Sequence, residues 1–225
     1  MLSRVFYLVI SIAFLLSCDS QKSVLKPNSV PIKYLALGDS YTIGESVMEE
    51  ERWPVQLRDS LTDRGSVFEE FKIIATTGWR TDDLSRAMDK EELKNKYNLV
   101  SLLIGVNNQY QGKSVDSYKP EFEALLDKAV SLAGGKKDQV FVVSIPDYAF
   151  TPFGQGRDFV KISTELESYN TACKQITLDK GIKHIDITKI SKDGVKIPEL
   201  VASDGLHPSA KQYTLWVEKI LKEKF

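Results

Sequence analysis

Cysteine and histidine are scarce in this chain of 225 residues, which has two of each. That is too few for the usual Cys/His zinc clusters, and too few for a disulfide framework. A surplus of one charge is also missing: 30 Lys and Arg stand against 31 Asp and Glu, for a net charge of −1. Without a basic surplus or stripe, no nucleic-acid partner is expected. With 13 Gly and 8 Pro, the chain is neither collagen-like nor a low-complexity polymer. Hydrophobic residues make up 42% and charged residues 27%, the balance of a folded domain. A chain of roughly 200 residues buries on the order of 70% of its unfolded surface, so one compact domain stands without disulfides or a structural metal.

No apolar run reaches bilayer length. The run Val5 to Leu16, VFYLVISIAFLL, follows Arg4 and has twelve residues, too short for a permanent span but suited to the hydrophobic region of a secretory signal. It leads into Leu15-Leu16-Ser17-Cys18, which resembles a bacterial lipobox. The resemblance implies cleavage before Cys18 and lipid on its sulfur. The expected layout is a signal peptide over 1–17, a lipidated Cys18 with a flexible tether over 18–31, and one catalytic domain over 32–225. The expected place is the bacterial cell envelope on the extracytoplasmic side, with the membrane as partner through acyl chains. The alternative is an ordinary signal peptide with a chance cysteine. Cys173 lies in the helical pattern Phe159, Ile162, Leu166, Tyr169, Cys173, Ile176, so a buried structural thiol is expected there.

Five β-rich runs recur: Lys33 to Asp39, Phe71 to Thr76, Leu99 to Val106, Val140 to Ile145 and His184 to Ile187. Nearly continuous apolar character, in place of alternation, marks strands buried on both faces of a parallel sheet. Amphipathic stretches separate them: Pro54 to Asp63, Asp82 to Lys96, Tyr118 to Leu132, Phe159 to Lys180 and Ser209 to Lys224. Pro54 suits a first helical position, and Ser209 with Gln212 has capping-box spacing. The alternation predicts a three-layer α/β/α fold around a mostly parallel five-stranded sheet, flavodoxin-like, with ligands bound beyond the carboxyl ends of the strands.

The loops at those ends carry the chemistry. Leu37-Gly38-Asp39-Ser40 puts a serine just past the first strand, and Ser203-Asp204-Gly205-Leu206-His207-Pro208 lies far along the chain. Serine attack on an ester needs a base for the hydroxyl proton, and that base needs a carboxylate to orient its ring. His184 sits inside a strand and reads as a packed or edge residue. His207, in a loop before a capped helix, reads as the base with its ring presented, and Asp204 can fold back to it across one turn. There is no Gly-x-Ser-x-Gly elbow around Ser40, which disfavours the α/β-hydrolase architecture.

Four blocks, Gly38-Asp39-Ser40, Gly78, Gly105-Val106-Asn107 and Asp204-Gly205-Leu206-His207-Pro208, resemble those of the SGNH, or GDSL, hydrolases over nearly all of residues 32–225. The resemblance implies Ser40 as nucleophile, His207 as base and then acid, and Asp204 as its orienter. It also implies an oxyanion hole from the amides of Ser40 and Gly78 and the side chain of Asn107. Fixed donors aimed at the developing oxyanion suit that role, and a glycine amide approaches it without a β-carbon in the way. Tyr41 stands where the motif name has Leu, and Asn108 where the block commonly has Asp. Tyr41, Trp79, Asn108 and Tyr148 are the candidate substrate contacts.

The expected activity is hydrolysis of a carboxylic ester, short-acyl or acetyl, on a small-molecule, polysaccharide or lipid substrate, with no metal or cofactor. The alternatives are acyl transfer by the same triad and a binding lipoprotein that keeps the fold. The expected form is a monomer.

Overall fold

A computed structural model of the chain describes residues 30–91, 93 and 97–224. The signal peptide, Cys18 and all but the last two residues of the tether lie outside the described residues. Among the described residues, five strands form one sheet: β1 (Ile32–Gly38), β2 (Phe68–Ala75), β3 (Leu99–Leu103), β4 (Val140–Val143) and β5 (Lys183–Ile185). Their order is β2-β1-β3-β4-β5 with every pairing parallel. This is the expected α/β fold.

The burial of each strand follows its place in the sheet. All of β3 and β4 is buried, and β1 is buried from Tyr34 onward, so their runs are almost wholly apolar. The edge strands carry charge: Glu69, Glu70 and Lys72 in β2, Lys183 in β5, as exposed edges usually do to discourage pairing with another chain. Charge also hid the start of β2, which begins at Phe68 and not at Phe71.

Among the described residues, nine α-helical segments occur in chain order: α1 (Ser40–Ile43), α2 (Trp53–Asp63), α3 (Thr81–Lys90), α4 (Val106–Tyr110), α5 (Val115–Leu132), α6 (Pro152–Gln155), α7 (Phe159–Asp179), α8 (Thr188–Ser191) and α9 (Ala210–Lys224). α2 packs on α9, while α5 packs on α3 and α7. The inner stripe of α9 is Tyr213, Trp216, Val217, Ile220 and Leu221, all buried. Each such large side chain contributes about 1.5–3 kcal/mol by leaving water. Cys173 is 1% exposed in α7, and burial pushes its thiol up to about 12. That holds it as an inert packing group.

Two local expectations change. The helix anticipated over 82–96 ends at Lys90: Glu91 is extended, and Leu93 turns in against the core. Residues 92 and 94–96 lie outside the described residues. At α9 the capping box is half made. Ser209 Oγ accepts from Gln212 N at 3.3 Å, but the Gln212 amide donates to Leu200 O at 2.7 Å instead of returning to the cap.

The loops after β1 and β3 leave neighbouring strands at the place where the strand order reverses. That crevice is where open parallel sheets bind ligands.

Candidate active site

β1 delivers Ser40. Asp39 follows β1 and caps α1, its Oδ1 accepting from Tyr41 N at 3.0 Å. Gly38 permits the sharp return: a β-carbon there would lie 2.6 Å from the Leu103 carbonyl of β3 and strike Thr42 as well. Ser40 thus sits at the carboxyl end of the sheet, 4% exposed. Its amide N–H, like that of Gly78, has no hydrogen-bond partner among the described residues.

Asp204 and His207 meet as the one-turn spacing predicts, with His207 Nδ1 and Asp204 Oδ2 at 2.6 Å. Asp204 Oδ1 also takes the amides of Leu206 and His207, at 2.9 and 3.0 Å, and Oδ2 takes the Ser46 hydroxyl at 2.7 Å. Partial burial pushes the Asp204 carboxyl up, but the hydrogen bonds from His207, Leu206 and Ser46 outweigh it and hold the group at about 2. It therefore stays ionised beside the imidazole. The His207 ring is less open than its loop position suggested: the residue is 8% exposed. Tyr41 is the cause, since its ring packs edge-on to His207 at 5.7 Å and to Trp216 at 6.4 Å. This is what the tyrosine does at a position where the motif name has leucine: it fills the space under the imidazole. Ser40 and His207 line the same cleft, with no hydrogen bond between them among the described residues. In unliganded sites such bonds are often loose and tighten around substrate.

The loop after β2 supplies Gly78, at φ +85 with open space where a β-carbon would stand. Its glycine is therefore set by backbone conformation, not by crowding from the rest of the chain. Helix α4, just after β3, supplies Asn107. One Nδ2–H donates to the Trp79 carbonyl at 3.0 Å, and the second is left for the cleft that Asn107 lines.

Two candidate contacts lie elsewhere. Trp79 is half-buried against the core and absent from the cleft wall, so its carbonyl, not its indole, serves the site. Asn108 is 1% exposed and faces away from the cleft. Its Oδ1 accepts from Thr81 N at 3.1 Å, and its Nδ2 donates to Thr81 Oγ1 at 2.7 Å and Glu121 Oε2 at 3.4 Å. Asn108 thus pins the start of α3, and with it the Gly78 loop, to α4. The amide suits the place because the Glu121 carboxyl already stands there as an acceptor. Asn108→Asp will lose a buried donor and face a second carboxylate, costing about 2 kcal/mol and lowering Tm by roughly 4–8 °C. Asn108→Asp with Glu121→Gln should recover most of that loss in a thermal melt. A wild-type melt for Asn108→Asp alone refutes the role.

The cleft is about 240 Å³, with walls from Tyr41, Val106, Tyr110, Tyr148, Phe153 and Leu206 beside the polar residues. Tyr148 is held by its hydroxyl, which donates to Gln109 Oε1 at 3.0 Å, and Gln109 Nε2 in turn donates to Glu165 Oε2 at 2.7 Å. Sequence reasoning missed Ser46, Thr77, Val106 and Leu206 as parts of the site. Val106 and Leu206 stood inside recognised blocks as spacers. Ser46, at φ +67, has no periodic or motif signal. His184 lies apart in edge strand β5, where burial lowers its imidazole to about 4.

Asp39 adds a pH response. Burial raises its carboxyl to about 7, opposed by the amides of Tyr41, Asp39 itself and Gly105, and Oδ2 is buried with no hydrogen-bond partner among the described residues. An unfolded Asp titrates near 3.9. Between about pH 4 and 7 the folded chain therefore keeps a proton that the unfolded chain has released, so stability falls as pH rises through that window. Asp204 acts in the opposite sense and lower down: its stabilisation is present above about pH 4 and is lost toward pH 2. Asp39→Asn removes the first effect, so the Tm difference between pH 4.5 and pH 8 will shrink relative to wild type. An unchanged difference shows that Asp39 is ionised throughout.

The fold has counterparts among solved structures. Among curated proteins none matches the sequence. Similar solved structures include the psychrotrophic esterase EstA from Pseudoalteromonas sp., at 18% identity and TM-score 0.65, covering 85% of this chain and 96% of that one. Another is a mutant of Axe2, an acetyl-xylooligosaccharide esterase from Geobacillus stearmophilus, at 18% identity and TM-score 0.66, covering 86% and 94%. A third is the lipase/acylhydrolase from Enterococcus faecalis, at 20% identity and TM-score 0.63, covering 85% and 94%. At these identities they establish the fold. The sequence profile of the GDSL-like lipase/acylhydrolase family matches residues 36–215, and the chain belongs to that family of ester-hydrolysing enzymes.

Proposed function

We propose that this chain removes short acyl groups from carbohydrate or lipid esters through a Ser40–His207–Asp204 triad. The observation that carries the reading is the 2.6 Å contact between His207 Nδ1 and Asp204 Oδ2 in the cleft that Ser40 also lines. With Nδ1–H held by an ionised carboxylate, Nε2 is the free base. It takes the Ser40 hydroxyl proton as Oγ attacks the ester carbonyl, and passes that proton to the leaving alkoxide when the tetrahedral intermediate collapses. Water then attacks the acyl-Ser40 ester, His207 again taking a proton and returning it to Ser40. The negative oxygen of each intermediate is stabilised by the free amides of Ser40 and Gly78 and the second Nδ2–H of Asn107.

The small volume of the cleft, below the roughly 300–1,000 Å³ of drug-sized sites, favours a short acyl group, and its aromatic walls suit a sugar ring or an apolar chain. Two fold relatives support the class: one is an acetyl-xylooligosaccharide esterase, the other an esterase inhibited by monoethylphosphonate. The lipobox-like Leu15-Leu16-Ser17-Cys18 supports a lipid anchor that holds the enzyme on the extracytoplasmic side of a membrane.

The test is fluorophosphonate labelling of a soluble form starting at Asp19, with the labelled peptide located by mass spectrometry. Label on Ser40 that disappears in His207→Ala is the expected result. An unlabelled Ser40 removes the nucleophile from the reading. Release of free acid without an added alcohol separates hydrolysis from acyl transfer.

A further inference from the structure

Two arginines lie near this cleft in different electrostatic settings. Arg80, after Gly78 and Trp79, is neutralised at home: Nη2 meets Asp82 Oδ2 at 2.9 Å, and Nε lies 4.0 Å from Asp83 Oδ2. Arg157 has no carboxylate partner among the described residues. The acids that follow it are engaged elsewhere. Asp158 accepts from Lys161 N at 3.0 Å, and Glu165 takes the Gln109 amide at 2.7 Å with Lys161 Nζ at 4.0 Å.

What holds Arg157 is aromatic. Its guanidinium carbon lies 4.2 Å from the Phe153 ring centroid and 5.7 Å from that of Tyr110. Both rings line the Ser40 cleft, and Tyr110 is 51% exposed at its edge. The backbone beneath is tied down, with Arg157 N donating to Gly154 O at 3.0 Å and Arg157 O accepting from Phe159 N at 2.9 Å. A guanidinium lying over a ring uses its face for the stack and keeps its N–H edge for a planar partner, and it gives up less conformational freedom on binding than an unsupported one. That edge matches carboxylate and phosphate oxygens in a two-point contact.

From this placement we infer that Arg157 recognises an anionic group on the substrate, so that the preferred esters carry a carboxylate or a phosphate besides the scissile bond. The inference rests on the hydrolase reading above and narrows its substrate class. The uncompensated cation, its aromatic seat and the wall shared with Ser40 are independent of the roles assigned to His207 and Asp204.

Matched ester pairs that differ only in the anionic group test it. One pair is 1-butyrylglycerol 3-phosphate against 1-butyrylglycerol; the other is an O-acetylated methyl glucuronide against the corresponding glucoside. The reading is the ratio of kcat/KM, anionic over neutral, for wild type, Arg157→Gln and Arg157→Lys. Because each ratio is taken on one preparation, a partly unfolded variant does not distort it. Wild type should favour the anionic member of at least one pair. Arg157→Gln should lower that ratio on the order of tenfold, the scale of one charge-assisted contact. Lysine should keep part of it, and added salt should weaken it. An effect in the phosphate pair alone identifies a lipid-type headgroup, and one in the glucuronide pair alone a sugar acid. A wild-type ratio near one in both pairs, or an unchanged ratio in Arg157→Gln, overturns the inference while leaving the hydrolase intact. Failure of wild type to cleave any of the four esters overturns the hydrolase reading itself, and this inference with it.

Discussion

Alanine at Ser40 will lower kcat by several powers of ten, roughly 10³ to 10⁶, and leave the fold almost untouched. In the mechanism proposed above the loss is large because Oγ is the atom that bonds to the acyl carbon, and members of such a triad act as a unit, so His207→Ala falls in the same range. The two variants differ in stability. The Ser40 hydroxyl has no hydrogen bond among the described residues, so its removal should change stability by no more than a surface substitution does, about 0.5 kcal/mol. His207 packs its ring on Tyr41 at 5.7 Å and holds Asp204 at 2.6 Å. Its truncation should cost about 1–3 kcal/mol by emptying that space and leaving a carboxylate oxygen with Ser46 alone. Single-turnover assays beside thermal melts separate the two effects. A Ser40→Ala enzyme with more than about a tenth of wild-type turnover means that another group attacks the ester.

Asn107→Ala will lower kcat by roughly 10² to 10³ with KM little changed, the signature of an interaction made mainly in the transition state. One Nδ2–H is fixed on the Trp79 carbonyl at 3.0 Å, so the amide is oriented before substrate arrives. Preorganisation of this kind is what gives an oxyanion donor its value, since no rearrangement is needed as charge develops. Asn107→Asp is the stringent companion: it keeps the size, removes both donors and places a negative charge where one is forming. It should be at least as slow as alanine. If either variant raises KM and spares kcat, Asn107 binds the ground state and the oxyanion rests on the two backbone amides.

How far the sequence reached depended on whether a feature is written locally. Strand-helix alternation is local, because burial on both faces leaves an apolar run and burial on one face leaves a 3.6-residue stripe. The five strands were therefore legible, as was their parallel arrangement. The start of the outer strand β2 was not, because Glu69 and Glu70 break the pattern where that strand meets solvent. The Asp204–His207 pair was legible because three residues span one turn. The end of α3 was misjudged, since Lys90 to Lys96 is as polar as an exposed helix face. Tyr41 and Tyr148 line the cleft, whereas Asn108 and Trp79 do not. A sequence shows that a residue neighbours a motif, but not which way its side chain turns.

By itself, then, the sequence determined the layered fold, the end of the sheet that carries the site, and the residue types brought to it. These follow from hydrophobic periodicity and from what ester chemistry requires. Only the tertiary structure decided the rest. Ser46 reaches Asp204 across 158 positions, Asn108 answers Glu121 across 13, and Gln109 joins Tyr148 across 39. It also placed Arg157 on Phe153 with no acid among the described residues to neutralise it. The physical reason is the same in each case: a hydrogen bond or stacking contact acts over a few ångströms of space, and neither partner carries a mark of the other along the chain.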